Sequence, residues 1–341
     1  MLLSCKIFST FTLLFIFIHH SHSHSSTNST ETILYDVFPF VRVYTNGRIQ
    51  RFFGQDFVPA STDPITKVQS KDVKISKQLN ISARFYLPEN ANPGRKLPLL
   101  IYFHGGGFLT ESAFSPTYHN FLNSLVAKSK VIAVSVNYRI APEFPLPIAY
   151  QDSWLAVKWV FSHFKGNGNE MWLKKYADFK RVYLAGDSAG GNIAHHMGVR
   201  VGLENLDPGI NIDGLFLNCP FFWGKRAIGN ETGNPYGASL IERIWVHAYP
   251  KSSGLDDPLL NPGMDPGLRM LRCKRVLVYA AETDVLRFRD LYYKKELEKS
   301  GWNGVVNVVE VKGEGHVFNL NYPTNPKAIA MLKKIAVFLK Y

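Results

Sequence analysis

The sequence contains little cysteine and few acidic side chains for its length. Only 3 of its 341 residues are Cys, and 27 Asp and Glu residues oppose 39 Lys and Arg residues, so the formal net charge is +12. Three cysteines are too few for the disulfide framework of a small secreted scaffold. Cys219 ends one predicted strand and Cys273 precedes another, which places the two sulfurs about 17–20 Å apart. We therefore expect two free, buried thiols and no disulfide.

Motifs for metals, nucleotides and nucleic acids are also missing. The sequence has no HExxH, no paired CxxC and no GxxxxGK[ST] phosphate loop. Its positive charges are scattered, and the densest group holds only four of them: Arg269, Arg272, Lys274 and Arg275. This distribution indicates a basic solvated surface rather than a nucleic-acid interface. We expect no cofactor, no metal and no nucleic-acid partner.

The longest mostly apolar run lies at the amino terminus. Residues 7–18 follow Lys6 and are too few to span a bilayer comfortably, but they suit the hydrophobic region of a signal peptide. We expect residues 1–25 to be removed, with an uncleaved anchor as the alternative. Three Asn-X-Ser/Thr triplets also favour the secretory pathway (secreted, endoplasmic reticulum or vacuole), and their acceptors are Asn28, Asn80 and Asn230.

Short apolar runs alternate with helical patterns through most of the chain, which predicts a mostly parallel sheet flanked by helices. Residues 26–341 are expected to form one domain. The predicted strands are 73–75, 81–86, 97–103, 131–136, 181–185, 214–218, 276–280 and 305–311, and the predicted helices are 148–164, 189–203, 290–300 and one that opens near Pro326.

Two segments interrupt this alternation. Residues 35–63 are aromatic and loop-like, and residues 220–264 are rich in Gly, Asn, Pro and Trp with one short helical stretch. Both lack strand patterning. We expect them, as segments of about 31–63 and 220–264, to form a cap over the carboxyl edge of the sheet, where wound α/β folds bind ligands.

The strongest chemical signal is Gly186-Asp187-Ser188-Ala189-Gly190, which directly follows a predicted strand and opens a predicted helix. This is the G-x-S-x-G elbow in its strand–turn–helix context, and it predicts that Ser188 is a nucleophile. The helix amino terminus beneath it favours developing negative charge. Asp187 and Asn192 are expected to brace the turn through local hydrogen bonds.

A second glycine-rich motif, His104-Gly105-Gly106-Gly107-Phe108, follows another apolar strand. Glycines leave backbone N–H groups unobstructed, as an oxyanion hole requires. Together with the N–H after the nucleophile, the expected donors are Gly106, Gly107 and Ala189. His104 itself is expected to brace the loop.

The general base is expected at His316, in a Gly-flanked loop after the last strand, and its acid at Asp284, after the preceding strand. These positions give the chain order serine, acid, histidine of α/β-hydrolases. Glu282 is a nearby alternative acid, whereas Asp290 begins the next predicted helix. His195 and His196 lie on the helix behind Ser188 and are expected to point elsewhere.

Several motifs together resemble plant carboxylesterases of the hormone-sensitive-lipase-like group. They are HGGGF at 104–108, VSVNYRIAPEFPLPIAYQ at 134–151, GDSAGGN at 186–192, GHVF at 315–318 and the opening 33–53, and the resemblance runs from about residue 31 to the end. It implies an α/β-hydrolase fold and hydrolysis of small esters or plant metabolites. Most such relatives lack a leader, so a cytoplasmic location is the alternative.

The same group is similar to 2-hydroxyisoflavanone dehydratases and to the gibberellin receptor. The resemblance implies a replaced catalytic histidine in the receptor branch and a threonine nucleophile position in the dehydratase branch, whereas this chain has His316 and Ser188. We therefore expect a serine carboxylesterase. The alternative is a dehydratase or cyclase of plant specialised metabolism, of isoflavonoid or alkaloid type, using the same residues.

Overall fold

An eight-stranded sheet forms the centre of the molecule. The computed structural model describes residues 31–204 and 207–340, so the predicted leader and the Asn28 triplet lie outside the described residues. The strands of the main sheet are β4 (Gln69–Ser76), β5 (Ile81–Leu87), β6 (Leu97–Phe103), β7 (Ile132–Asn137), β8 (Ala177–Asp187), β9 (Ile212–Asn218), β10 (Arg275–Ala281) and β11 (Val305–Val311). Their order is β11-β10-β9-β8-β6-β7-β5-β4. β5 runs antiparallel to β4 and β7, and the other pairs are parallel.

The central strands are continuous apolar runs because helices cover both faces of the sheet. In β6, every residue from Pro98 to Phe103 is buried. All eight strands predicted from the sequence are present, and β6 and β11 have the predicted bounds. β8 begins four residues earlier than predicted, since a bulge lets Ala177 and Asp178 pair with the start of β6.

Eight helices of the described residues cover the sheet or lie beyond its carboxyl edge. They are α1 (Pro116–Ser129), α2 (Ile148–Ser162), α3 (Met171–Tyr176), α4 (Ala189–Leu203), α5 (Pro235–Ala248), α6 (Arg287–Lys299), α7 (Phe318–Asn321) and α8 (Pro326–Phe338). The predicted bounds of α4 are confirmed. Pro326 opens α8, where Asn325 caps the first turn by accepting from Lys327 N–H at 2.8 Å.

The prediction that residues 35–63 lack strands is wrong. An antiparallel sheet of β1 (Ile33–Val37), β2 (Val41–Tyr44) and β3 (Ile49–Arg51) occupies the start of this segment. Only three to five residues make each strand, too few for a clear period of two. Cross-strand contacts stabilise this small sheet instead, such as the hydrogen bond from Arg42 Nε to Asp36 Oδ2 at 2.8 Å. Residues 220–264 contain α5 and no strand, as expected.

Two further sequence predictions can be compared with the described residues. Cys219 and Cys273 are both free thiols, as predicted, but only Cys219 is buried and Cys273 is partly exposed. No helix of the described part of the chain is long and apolar enough to cross a membrane.

Candidate active site

Ser188 occupies a strained turn between β8 and α4. Its backbone has φ 49° and ψ −122°, a conformation that costs free energy for a residue with a side chain. Hydrogen bonds on both sides hold it there. Ser188 N–H donates to Asn218 O at 2.9 Å, and Ser188 O accepts from Phe221 N–H at 2.9 Å. The end of β9 and the residues after it therefore fix the serine at the carboxyl edge of the sheet.

The glycines around Ser188 are required by close backbone contacts. A Cβ at Gly186 would lie 2.2 Å from Gly190 O, and a Cβ at Gly190 would lie 2.0 Å from Phe103 O. Such distances are far shorter than van der Waals contact, and the obstructing atoms belong to the backbone. The tight crossing of α4 over the end of β6 thus explains the spacing of the elbow motif.

The glycine loop after β6 has a left-handed backbone at three consecutive residues, with φ 97° at Gly106, 62° at Gly107 and 62° at Phe108. A Cβ at Gly106 would lie 2.2 Å from Thr110 O, so this position also excludes a side chain. Within the described residues, neither the Gly106 nor the Gly107 amide donates to a protein acceptor. Ala189 is the first residue of α4, where an amide has no intrahelical partner. All three predicted donors therefore stay available.

His316 and Asp284 form a direct pair. Nδ1 of His316 lies 2.6 Å from Oδ2 of Asp284, and Leu286 N–H donates to Oδ1 of the same carboxylate at 3.0 Å. The loops that carry them are joined, because Thr283 N–H donates to Glu314 O at 2.9 Å. Burial alone would lower the pKa of His316, but the charge and hydrogen bond of Asp284 raise it above its ordinary value.

Cys219 connects this pair to the elbow. One ligand-type atom from each of Cys219, Asp284 and His316 lies within 4.8 Å of the other two, and Cys219 follows the Asn218 carbonyl that binds Ser188. Burial, with the nearby charge of Asp284, raises the pKa of the Cys219 thiol well above its ordinary value. The Cys219 thiol is therefore protonated at neutral pH.

The competing acids have other surroundings. Glu282 binds Lys312 Nζ at 2.9 Å and accepts from Gly313 N–H at 2.8 Å, and these partners lower its pKa. Asp290 is fully buried on α6, where burial and then the charge of Asp284 raise its pKa. In the described residues, Asp284 hydrogen-bonds to a histidine, whereas Glu282 and Asp290 do not.

The other candidate histidines have structural contacts. Nδ1 of His195 lies 3.0 Å from Tyr293 Oη, and Nε2 of His196 lies 3.0 Å from Leu259 O. His104 stacks on Tyr138 with ring centroids 4.2 Å apart. Burial lowers the pKa of all three rings. These residues pack the elements behind the site rather than supply its base.

Aromatic side chains near the site are mostly part of the core. Five aromatic residues of the glycine loop and of the segment 220–264 are buried in the core: Phe108, Phe221, Phe222, Trp223 and Trp245. Phe40 is only partly buried, and its ring lies beside the glycine loop, 3.2 Å from the Cβ position of Gly107. Ile244 of α5 approaches the same position at 3.2 Å, and Tyr35 stacks on His247 of α5 at 4.0 Å. Residues of both predicted cap segments thus meet at this loop.

The sequence did not reveal the tyrosines around the glycine loop. Tyr118 Oη accepts from Gly105 N–H at 2.8 Å, and Tyr138 donates to His104 O at 2.5 Å. Tyr118 lies outside the quoted motifs and Tyr138 lies within the 134–151 motif, but both meet the loop only through tertiary packing. The Asn80 and Asn230 side chains belong to exposed residues, so either could be reached by a modifying enzyme.

Comparisons with known proteins agree with this architecture. Residues 100–320 match the family described as alpha/beta hydrolase fold. The chain is 48% identical to "Probable carboxylesterase 13" of Arabidopsis thaliana, over 90% of this chain and 98% of that protein. It is 41% identical to the 2-hydroxyisoflavanone dehydratase of Glycyrrhiza echinata, over 92% and 98%.

Among solved structures, a hyperthermophilic esterase from Pyrobaculum calidifontis superposes with a TM-score of 0.68 at 26% identity, covering 82% of this chain and 86% of that one. The expected resemblance is confirmed over most of the sequence. The chain therefore belongs to the α/β-hydrolase-fold family of which these carboxylesterases and this dehydratase are also members.

Proposed function

We propose that the protein is a serine carboxylesterase that hydrolyses esters of small plant metabolites. One observation carries this proposal. Ser188, at φ 49° on the elbow, lies at the same edge of the sheet as His316, whose Nδ1 is 2.6 Å from Oδ2 of Asp284. A nucleophile on a strained turn, an oriented base and free backbone donors are the parts that acyl transfer needs.

In the first step, His316 takes the proton of Ser188 as the hydroxyl oxygen attacks the ester carbonyl carbon. Asp284 holds the imidazole with Nδ1 protonated and stabilises the cation that forms. The N–H groups of Gly106, Gly107 and Ala189 donate to the tetrahedral oxyanion, each contributing about 3 kcal/mol. His316 then gives the proton to the leaving alcohol, and an acyl-enzyme remains.

In the second step, His316 removes a proton from water, which attacks the acyl carbon. The same oxyanion donors stabilise the second tetrahedral intermediate. Its collapse releases the carboxylic acid and returns the proton to Ser188. The cycle needs no cofactor.

Hydrolysis of p-nitrophenyl acetate, butyrate and octanoate tests the proposal. Ser188→Ala is expected to lower kcat by about 10⁵- to 10⁶-fold while leaving the unfolding midpoint nearly unchanged, because only the nucleophile is lost. A variant that kept wild-type turnover would overturn the nucleophile assignment. The chain-length preference of the wild type would measure the size of the acyl pocket.

A dehydratase or cyclase reaction is the second candidate, favoured by the 41% identity to a 2-hydroxyisoflavanone dehydratase. Here His316 would act as a base toward a carbon-bound or hydroxyl proton, and the backbone donors would hold the substrate oxygen. Product analysis separates the two functions, since hydrolysis yields an acid and an alcohol, whereas elimination releases water from one molecule. A folded wild type that left every ester intact would favour this candidate.

A further inference from the structure

Asp187, the residue before the nucleophile, is buried and accepts two phenol hydrogen bonds. Tyr102 donates to Oδ1 at 2.8 Å, and Tyr118 donates to Oδ2 at 2.9 Å. Both tyrosines are buried as well. A buried carboxylate needs such donors, because without them its removal from water would cost roughly several kcal/mol of folding free energy.

Tyr118 also binds the glycine loop. Its oxygen accepts from Gly105 N–H at 2.8 Å while its proton points to Asp187. An ionised carboxylate can only accept, so the direction of this chain is fixed: Gly105 N–H to Tyr118 O–H to Asp187. Hydrogen bonds in series polarise one another, and the anion at the end strengthens the bond to the loop.

Asp187 also lies against the loop directly. A Cβ at Gly105 would lie 2.4 Å from Asp187 Oδ2 and 3.1 Å from Tyr118 Oη. Gly105 directly precedes Gly106, whose N–H is one of the proposed oxyanion donors. Any movement of the Gly105 peptide would therefore reorient the donor that follows it, and a displacement of about 1 Å can cost on the order of 10²-fold in rate.

We propose that Asp187 is a positioning residue that holds the glycine loop in its oxyanion-binding conformation through the Tyr118 hydroxyl. The proposal rests on the esterase function above. It goes beyond bracing of the elbow, because it couples the turn that carries Ser188 to the loop that supplies the other oxyanion donors.

The protonation of Asp187 gives this coupling a pH dependence. Burial raises its pKa to about 6, although the two phenols and the charge of His316 act to lower it. Above this pH the anion accepts both phenol protons, whereas below it the neutral acid carries its own proton and weakens the chain to Gly105. The ionisable groups that face Asp187 from the surrounding elements are Tyr102, Tyr118, Tyr138, Glu111 and His316.

Tyr118→Phe removes the link to Gly105, and Tyr102→Phe is the matched control. Both variants delete one phenol bond to the same carboxylate, but of the two phenols only Tyr118 bonds to the glycine loop in the described structure. At pH 8, we expect Tyr118→Phe to lower kcat for p-nitrophenyl butyrate by about 10- to 100-fold with KM within about threefold. Tyr102→Phe should stay within about threefold of the wild type in both constants.

Asp187→Asn tests the pH dependence of kcat/KM, which would not change if Asp187 had a purely structural role. Its amide resembles the neutral acid, so kcat at pH 8 should fall by about 10-fold. Log kcat/KM of the wild type should fall with a slope steeper than 1 over about one pH unit near pH 6, because protonation of Asp187 adds its own loss of about 10-fold to the loss from protonation of His316. The Asn variant should show a slope of about 1 and a limb moved to lower pH, since the charge of Asp187 also helps to raise the pKa of His316.

Inhibition by a trifluoromethyl ketone, which forms an oxyanion on Ser188, completes the test. Its inhibition constant should rise in Tyr118→Phe by the same factor by which kcat/KM falls. In Tyr102→Phe the inhibition constant should hardly change. Equal losses in the two Phe variants, or an unchanged pH slope in Asp187→Asn, would overturn this inference while esterase activity sensitive to Ser188→Ala still stood. A wild type without ester turnover would overturn the proposed function and this inference together.

Discussion

Nδ1 of His316 lies 2.6 Å from Oδ2 of Asp284, and the two partners differ sharply in exposure: the imidazole exposes 37% of its side chain and the carboxylate 2%. The acid is thus buried, while the ring is partly open to solvent. This arrangement raises the pKa of His316, because the charge and hydrogen bond of Asp284 outweigh the lowering effect of burial. Since the proposed mechanism uses the neutral ring as the base, activity should be lost as the pH falls through this raised pKa.

Asp284→Asn tests that relationship. The substitution removes the charge that raises the pKa of His316 and allows the wrong tautomer, so kcat should fall by about 10⁴-fold. What activity remains should persist to lower pH than in the wild type. A pH profile of kcat/KM for both proteins measures the two effects.

Glu282→Gln is the control for this substitution, because Glu282 lies two residues away but binds Lys312 and Gly313 instead of a histidine. It should retain turnover within about threefold, with the acid limb in place. If Glu282→Gln abolished turnover and Asp284→Asn did not, the assignment of the acid would be wrong.

Gly190→Ala is expected to disrupt the elbow. Its Cβ would lie 2.0 Å from Phe103 O, so the start of α4 or the end of β6 must shift. We expect a loss of about 3 kcal/mol in the free energy of unfolding, together with loss of turnover. Urea denaturation and ester hydrolysis measure the two effects.

Gly166→Ala supplies the comparison, since that glycine has φ 80° but open space around its Cβ position. It should cost only about 1 kcal/mol, the strain of a left-handed alanine, and leave turnover unchanged. Equal costs for the two substitutions would show that backbone contact does not explain the elbow glycine.

Local sequence signals were sufficient to predict the main sheet and to select the residues of the proposed triad. Ser188, Asp284 and His316 follow β8, β10 and β11, and parallel strands bring their carboxyl ends to one edge. The G-x-S-x-G spacing indicates this turn because nearby backbone atoms leave no room for a side chain at Gly186 or Gly190.

Features that depend on contacts distant in sequence were not predicted. β1 to β3 are too short for a periodic pattern, and their pairing is set by contacts across the hairpins. Tyr118 lies on α1, a helix absent from the prediction, and its two hydrogen bonds join residues 13 and 69 positions away. No local pattern marks such a side chain as different from an ordinary core tyrosine.

A buried ion pair joins α6 to the segment 220–264. Arg289 Nε lies 2.5 Å from Glu231 Oε1, and Nη2 lies 2.7 Å from Oε2, with exposures of 2% and 1%. The guanidinium also donates to Gly224 O and Arg226 O at 3.1 and 2.9 Å. Every strong contact of this cation thus fixes residues that precede α5.

Glu231→Gln should therefore destabilise the protein by about 3–5 kcal/mol, because it leaves a buried guanidinium without its counter-charge. The double variant Glu231→Gln/Arg289→Met should recover most of this loss, since it removes the uncompensated cation as well. Glu298→Gln on the same helix is the control, because its contact with Lys294 is 3.7 Å long and exposed, and it should change stability by less than about 0.5 kcal/mol. Urea unfolding of the four proteins gives the comparison. A double variant no more stable than Glu231→Gln would mean that the carbonyl contacts of Arg289, rather than the charge pair, hold this segment against α6.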